Sequence, residues 1–480
     1  MLSSITAIVP ILCVTAAGIA AMLAEAFREP GERMPIAGLG LVGLTGAAVS
    51  AALLWGRHLA GFGVVVADTF GLFVVMTLAV IGAMTMLLSP RLVERDDLPG
   101  GEYYALTLFA LAGMMLMAMA TDLLVIFLAL EVMSLAVYVL SALKRNSEAS
   151  VEGAFKYFIL GGFSSAFFLY GIAFVYGLTR TTDLERVGQA LASQAAEHPV
   201  LALVALGLLL VGFGFKVSAV PFHMWTPDAY EGAPTIVSGF MSTGVKAAAF
   251  AALVRVMATS FHPLQAAWYP VIWGLAAVTM VLGTVVGVAQ QNLKRMLAYS
   301  SIAHAGYMLV GLAATAANDV GRGAILFYLL AYGVTNLAAF AVIGLLATRE
   351  RANDDLSSMA GLSNRHPALA AVFSVLLLSL GGIPPTAGFV GKWYIFSAAV
   401  RSGDYLLAVI GVLTSVVSIF FYLRVIVMMY MADPVDLPRS PAPSRAAAFT
   451  LAAAVVVTFY LGILPTPVLD LAARSIESLF

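Results

Sequence analysis

The chain has 480 residues, of which 61% are hydrophobic and only 11% charged, with net charge −1 and mean hydropathy +0.97. Soluble domains carry about 25% charged residues, so this is an integral membrane protein throughout and not a soluble domain with an anchor. No basic surplus invites nucleic acid, and one cysteine, Cys13, leaves no partner for an internal disulfide.

Crossing about 30 Å of hydrocarbon takes roughly 20 apolar residues. Fourteen segments qualify: 2–24, 35–56, 67–89, 104–120, 122–142, 153–178, 199–225, 232–257, 265–287, 296–316, 322–347, 367–400, 405–430 and 447–470. The first has no basic residue before its apolar run and exceeds a signal-peptide core, so it reads as a retained span. Between the fourth and fifth only Thr121 and Asp122 mark a turn. The polar stretches near 90–103, 179–198, 348–366 and 432–446 read as loops.

Lysine and arginine bias sets orientation. Loops after odd-numbered segments hold fourteen basic residues, among them Arg33, Arg349, Arg351 and Arg439. The opposite side holds seven, including Arg255 and Arg322, and the other four are lysines within segments. The richer side is expected in the cytoplasm, with both termini outside.

Two segments are too long and contain breakers. The seventh carries Pro221, with Pro227 beyond it; the twelfth carries Gly381, Gly382, Pro384, Pro385 and Gly388. Proline removes a backbone donor and clashes with the preceding turn. Broken backbone at membrane depth persists only where protein or a wet cavity satisfies it. The breaks lie five segments apart, which predicts two five-helix repeats, segments four to eight and nine to thirteen, of opposite sense. The expected fold is an all-α membrane protein of about 14 transmembrane helices with two inverted five-helix repeats, each containing a broken helix. Its parts are 1–100 (three helices), 101–260 (first repeat), 261–431 (second repeat) and 432–480 (a loop and the last helix). Paired broken segments in the two halves point to an ion or substrate pathway.

Only six lysines occur, and Lys216, Lys246 and Lys392 stand inside apolar segments, with Lys156 near a segment end. A charged amine at membrane depth costs at least about 2.5–3.5 kcal/mol. Glu131, in segment five, offers Lys216 a counter-charge: either a structural ion pair or a switchable one. Lys246 lies near mid-membrane with no acid on its own helix; snorkelling to a surface is the alternative. That alternative is stronger for Lys392, and an ordinary i, i+4 pair with Glu152 is open to Lys156. His304 and His223 can pass protons or simply pack. Asp228 and Glu231 are expected at the cytoplasmic mouth. GLGLVG at 38–43 matches G-x-G-x-x-G but follows no strand, so it is not a dinucleotide loop. No Cys/His spacing suits a metal.

Four stretches carry a resemblance: EVMSLAVYVLSAL (131–143), GFKVSAVPFHMWTPDAYEGAPT (214–235), KRMLAYSSIAHAGYMLVG (294–311) and GGIPPTAGFVGKWYIF (381–396). Together they resemble the antiporter-like membrane subunits of proton-pumping NADH:quinone oxidoreductase, complex I. FHMWTPDAYEGAPT and GFVGKWYIF look more like subunit N, in a bacterial form, than sister subunits M and L. By motif, Glu131 matches the helix-five glutamate and Lys216 its partner lysine. Lys246 matches the central helix-eight lysine, and Lys392 the lysine on broken helix twelve. His304 falls in the helix-ten motif, while Lys156 and His223 occupy recognisable positions with less definite roles. The resemblance implies a proton relay without a redox centre on this chain. NADH, FMN, iron–sulfur clusters and quinone would then belong to partner subunits. It also implies neighbours M, K and J, and the bacterial cytoplasmic (inner) membrane. Subunits of multi-subunit cation/proton antiporters share the helix motifs and are the alternative; a scaffold with structural charges is a third reading.

Overall fold

The computed structural model describes residues 2–28, 35–315, 319–348, 352–434 and 442–479, with side chains throughout except at 319–322. Arg33, Arg349, Arg351 and Arg439, and the side chain of Arg322, lie outside the described residues.

Among the described residues, thirteen helices are long and apolar enough to cross a membrane, and the broken twelfth segment adds a crossing. In chain order they are α1 (Val9–Ala26), α2 (Ile36–Leu54), α3 (Thr69–Leu88), α4 (Gly100–Met119), α5 (Leu123–Ser141) and α6 (Glu148–Thr179). There follow α7 (Pro199–Val217, resuming at Trp225–Gly232), α8 (Thr235–Thr259), α9 (Gln265–Val288) and α10 (Leu293–Thr315). The last are α11 (Asp319–Leu346), α12 (Pro367–Gly381, resuming at Ala387–Arg401), α13 (Tyr405–Met431) and α14 (Arg445–Ile463). Short acidic caps set several starts. Asp122 accepts from Leu124 N at 2.8 Å and Val125 N at 3.2 Å, so the three residues Ala120, Thr121 and Asp122 suffice to turn the chain between α4 and α5.

Both breaks are built alike. The first half of α7 ends on Ser218 and that of α12 on Gly382, each in the left-handed region, at φ 62° and 83°. Two residues further on each has a cis bond to proline, Val220–Pro221 and Pro384–Pro385.

The repeat extends to the loops. Leu123 N donates to Thr182 O and Leu184 N to Thr121 O, both at 2.9 Å. Leu293 N donates to Asp354 O at 2.6 Å and Leu356 N to Gln291 O at 2.8 Å. The same bridge thus ties the loop before α5 to the end of α6 and the loop before α10 to the end of α11. Five crossings separate the two, so they lie at opposite faces. Neighbours repeat as well: α4 packs on α5 and α8 as α9 packs on α10 and α13, and α6 flanks both halves of α7 as α11 flanks both halves of α12.

The interior is α8, α10 and α11. Every residue of the apolar window of α8 is buried, whereas α1, α2, α6, α13 and α14 keep long exposed apolar faces for lipid or partners.

Several expectations need correction. The first span is interrupted at Ile8, leaving Leu2–Ala7 apart from α1. The fourteenth stops at Ile463, and Thr466–Ile476 is a separate amphipathic helix packed on α11 and α3. The polar stretch 179–198 is mostly a 14-residue helix, Leu184–Glu197, because its few apolar residues recur at helical spacing. A hairpin, β1 (Leu59–Gly61) with β2 (Val65–Ala67), joins α2 to α3. Arg255, counted as a loop charge, is 2% exposed inside α8, because α8 runs two residues beyond the expected limit and Asp68 reaches it.

Candidate functional site

Lys216 ends the first half of α7 and is 1% exposed. Its Nζ donates to Ser134 Oγ at 2.8 Å and Tyr138 OH at 3.1 Å, both on α5. The rings of Tyr138, Phe215 and Tyr157 surround it at 5.1, 5.3 and 5.7 Å, a geometry that partly offsets a buried charge. The expected Glu131–Lys216 contact is not formed. Glu131 accepts from Ser165 of α6 at 2.5 Å instead. Ser134 and Tyr138 are four residues apart and share one stripe of α5, and Lys216 meets that stripe while Glu131 leans to α6.

Lys246, 0% exposed, lies on α8 directly after a π-helical turn, Met241–Val245. It donates to Ser301 O at 2.7 Å and Ser301 Oγ at 2.6 Å on α10. Ser301 Oγ also accepts from Tyr332 OH at 2.8 Å. Asn336 Nδ2 donates to Tyr332 OH at 2.9 Å and Ser242 Oγ at 2.8 Å, closing a ring of polar groups between α8, α10 and α11. Complete burial excludes snorkelling.

His304 stands one turn along α10 from Ser301. Its Nδ1 meets Tyr328 OH at 2.5 Å and its Nε2 meets Tyr422 OH at 3.2 Å, and Tyr422 continues to Ser300 at 2.5 Å. A neutral imidazole donates from one nitrogen and accepts at the other, and both phenols can take either role.

Lys392, on the second half of α12, is 4% exposed. It turns back to the break and donates to Leu380 O at 2.9 Å, Gly381 O at 3.0 Å and Ser415 Oγ at 2.9 Å. Those carbonyls end the first half of α12, where intrahelical partners run out and the dipole is negative. The break itself therefore supplies this lysine's counter-charge. Its Nζ also sits 5.1 Å from the Tyr307 ring. A space of about 10 Å³ opens among His304, Tyr328, Tyr332, Thr335, Ser379 and Leu380, close to the volume one water requires.

Lys156 belongs to a different group. It pairs with Glu152 at 2.6 Å, as expected of an i, i+4 contact, and also with Asp228 at 2.8 Å. Arg295 bridges Asp228 and Glu231, both at 2.7 Å. Lys294 Nζ donates to the carbonyls of Glu231 and Ala233. Asp228 and Glu231 are thus structural partners of basic groups at one end of the bundle. His223 stands just beyond the α7 break with Nδ1 buried and unpartnered. The structure therefore groups Lys246 with His304, brings Lys392 close through Tyr307, holds Lys216 on its own hydroxyl pair, and sets Lys156 and His223 apart.

Sequence reasoning missed Ser301, Tyr328, Tyr332, Asn336 and Tyr422. A signal existed in α11, where Tyr328, Tyr332 and Asn336 recur every four residues on a largely apolar helix.

Residues 120–418 match the family model described as NADH:quinone oxidoreductase/Mrp antiporter, TM. A relative from Trichlorobacter lovleyi, NADH-quinone oxidoreductase subunit N, is 42% identical over 99% of this chain and 97% of its own. The subunit N of Rhodococcus opacus is 48% identical over 78% of this chain and 69% of its own. Among solved structures, a chain of respiratory complex I from Thermus thermophilus with bound aureothin is 38% identical, with TM-score 0.83, covering 97% of this chain and 99% of that one. A chain of the Mrp complex from Dietzia sp. DQ12-45-1b shares the fold at 21% identity, with TM-score 0.81, covering 100% of this chain and 98% of that one. The chain belongs to the NADH:quinone oxidoreductase/Mrp antiporter family, within its NADH-quinone oxidoreductase subunit N branch.

Proposed function

We propose that this chain is a proton-translocating membrane subunit of an NADH:quinone oxidoreductase, carrying protons through a buried relay of Glu131, Lys216, Lys246, His304 and Lys392. One observation carries the reading. Of the four buried lysines, Lys216, Lys246 and Lys392 are each held by at least one serine or tyrosine hydroxyl, with no carboxylate within ion-pair distance among the described residues, whereas Lys294 meets backbone carbonyls alone. A serine or tyrosine hydroxyl accepts from an ammonium and can donate to a neutral amine. Such a lysine keeps a hydrogen bond in either protonation state, and losing its proton leaves no paired carboxylate with an uncompensated charge.

Lys246 and His304 connect through neighbouring turns of α10, and a water in the small space beside His304 would reach the Leu380 carbonyl that Lys392 holds. Lys216 is the entry to this path and Glu131 its modulating charge. Lys156 and His223 are peripheral to it. Two unit charges about 4 Å apart interact by roughly 4 kcal/mol at an effective dielectric of 20. Moving one charge through 100 mV takes about 2.3 kcal/mol. Charge displacements in partner subunits are thus of the size needed to drive protons here.

The chemistry of electron transfer belongs to partners that hold NADH, FMN, iron–sulfur clusters and quinone. The antiporter-like subunit M and the small subunits K and J are the proposed membrane neighbours. The proposed setting is the bacterial cytoplasmic membrane, with both termini on the periplasmic side.

The test is Lys246→Ala in the complete complex, reconstituted in proteoliposomes. It should assemble and lose most NADH-driven proton pumping and coupled turnover. Normal pumping would overturn the relay. Sodium-dependent proton exchange by the assembled complex would favour an antiporter instead.

A further inference from the structure

A buried ion pair stands outside the lysine path. Asp68 caps α3, accepting from Gly71 N at 2.7 Å. Arg255 lies on α8, nine residues after Lys246 and so about 13 Å along the same helix. Its guanidinium grips both carboxylate oxygens of Asp68, at 2.7 and 2.9 Å. It also holds the Ala118 carbonyl through Nε at 3.2 Å and Nη2 at 3.0 Å. The two side chains are 3% and 2% exposed. They form the floor of a cleft of about 840 Å³, room for many waters, whose walls carry His58, Asp183, Glu185 and His262.

The repeat separates what this pair does from simple bracing. Arg424 on α13 is the counterpart of Arg255. It donates to Val288 O at 3.2 Å and to Gln290 O at the end of α9, as Arg255 does to Ala118 at the end of α4. Arg424 pairs with no carboxylate among the described residues, and its Nε is without a partner. Bracing the end of a helix therefore needs the arginine alone. The acid comes from the cap of α3, outside either repeat, and a cleft opens beside it.

We propose that Asp68 is the proton hand-off between the interior path and this cleft, with Arg255 as its positioning residue. The proposal rests on the proton-translocating reading. A hydronium on the α8 side gives its proton to the Asp68 carboxylate and becomes water. The neutral carboxyl releases Arg255, whose guanidinium keeps its charge and stays bound to Ala118 O. The carboxyl then gives the proton to cleft water and the ion pair re-forms.

The experiment uses the complete complex in proteoliposomes. Asp68→Asn should lower the ratio of protons pumped to NADH oxidised about tenfold or more, and Asp68→Glu should restore most of it. The double variant Asp68→Asn with Arg255→Gln removes both charges while leaving amides to hydrogen-bond. It should assemble and still fail to pump, and wild-type pumping in it would overturn the proposal. A second measurement leaves the pair intact. Ala258→Cys, on the cleft wall in a Cys13→Ser chain, is treated with a charged, membrane-impermeant thiol reagent from each side. Labelling from the periplasmic side alone should cut pumping, and labelled complex with unchanged pumping would overturn the proposal. If Lys246→Ala also pumps normally, the relay itself fails. If Lys246→Ala is inactive while the Asp68 variants pump, only the hand-off fails.

Discussion

A lysine in a membrane protein can be held in two ways, and the difference decides what it can do. An ion pair fixes the charge, because removing one partner's proton strands the other. Lys156 is of this kind, tied to Glu152 and Asp228. Hydroxyl ligands leave the charge free to change, and Lys216, Lys246 and Lys392 are held so. Ser301 concentrates the argument, since its hydroxyl accepts from both Lys246 and Tyr332. Ser301→Ala removes one atom and leaves the Ser301 carbonyl in place. It should lower pumping about tenfold while the complex assembles normally, measured as proton uptake per NADH oxidised. An unchanged ratio would show that the hydroxyl only packs.

The elements matter because broken helices expose backbone that intact ones hide. The free carbonyls at the end of the first half of α12 take Lys392 as their cap, so the break and the lysine need each other. Gly382 makes the turn possible. At φ 83° a side chain is strained, and a Cβ there would lie 2.9 Å from Lys392 Cδ. Gly382→Ala should cost about 1–2 kcal/mol from the left-handed backbone alone and push Lys392 off its carbonyls. Thermal denaturation and pumping should therefore fall together. Closely crossing helices give a matched pair of predictions. A Cβ at Gly113 would sit 2.8 Å from Met133 N, and one at Gly283 would sit 2.6 Å from Ala303 N. Gly113→Ala and Gly283→Ala should each destabilise by about 1–3 kcal/mol, read as lower thermal midpoints. The two sites are repeat equivalents at the α4–α5 and α9–α10 crossings, so a large effect at one alone would argue against equivalent packing.

Over the whole molecule, the repeats leave the polar groups inside and tie the faces with loop contacts. One such tie is Asp96, which follows α3 and meets Lys144 beyond α5 at 2.7 Å and Arg95 at 2.8 Å. Burial would raise the Asp96 carboxyl, but Arg95 and Lys144 outweigh it and hold it below the usual carboxylate range. A lowered folded value means the contribution to stability is complete above about pH 4, the unfolded range, and fades as pH falls through the folded value. Lys144→Ala should therefore lower the stability of the purified complex at neutral pH by about 1–2 kcal/mol. The gap to wild type should close in acid, and a gap independent of pH would assign it to lost packing.

Much of this was legible in one dimension because a bilayer imposes one-dimensional rules. Length and hydropathy marked fourteen crossings, proline and glycine marked both breaks, and the cost of charge in lipid singled out Lys216, Lys246 and Lys392. The motifs carried the family. Partners were not legible, because they depend on which helix faces which. Lys216 meets Ser134 and Tyr138 instead of Glu131, and Lys246 meets Ser301, 55 residues away. Arg255 reaches Asp68 across 187 residues. Short amphipathic pieces, Leu184–Glu197 and Thr466–Ile476, were read as loop or as part of a span, since their burial comes from the bundle they lie on. Solvent transfer is a property of a segment and is written in its residues. Hydrogen-bond partnership is a property of two surfaces, and only the packed bundle decides it.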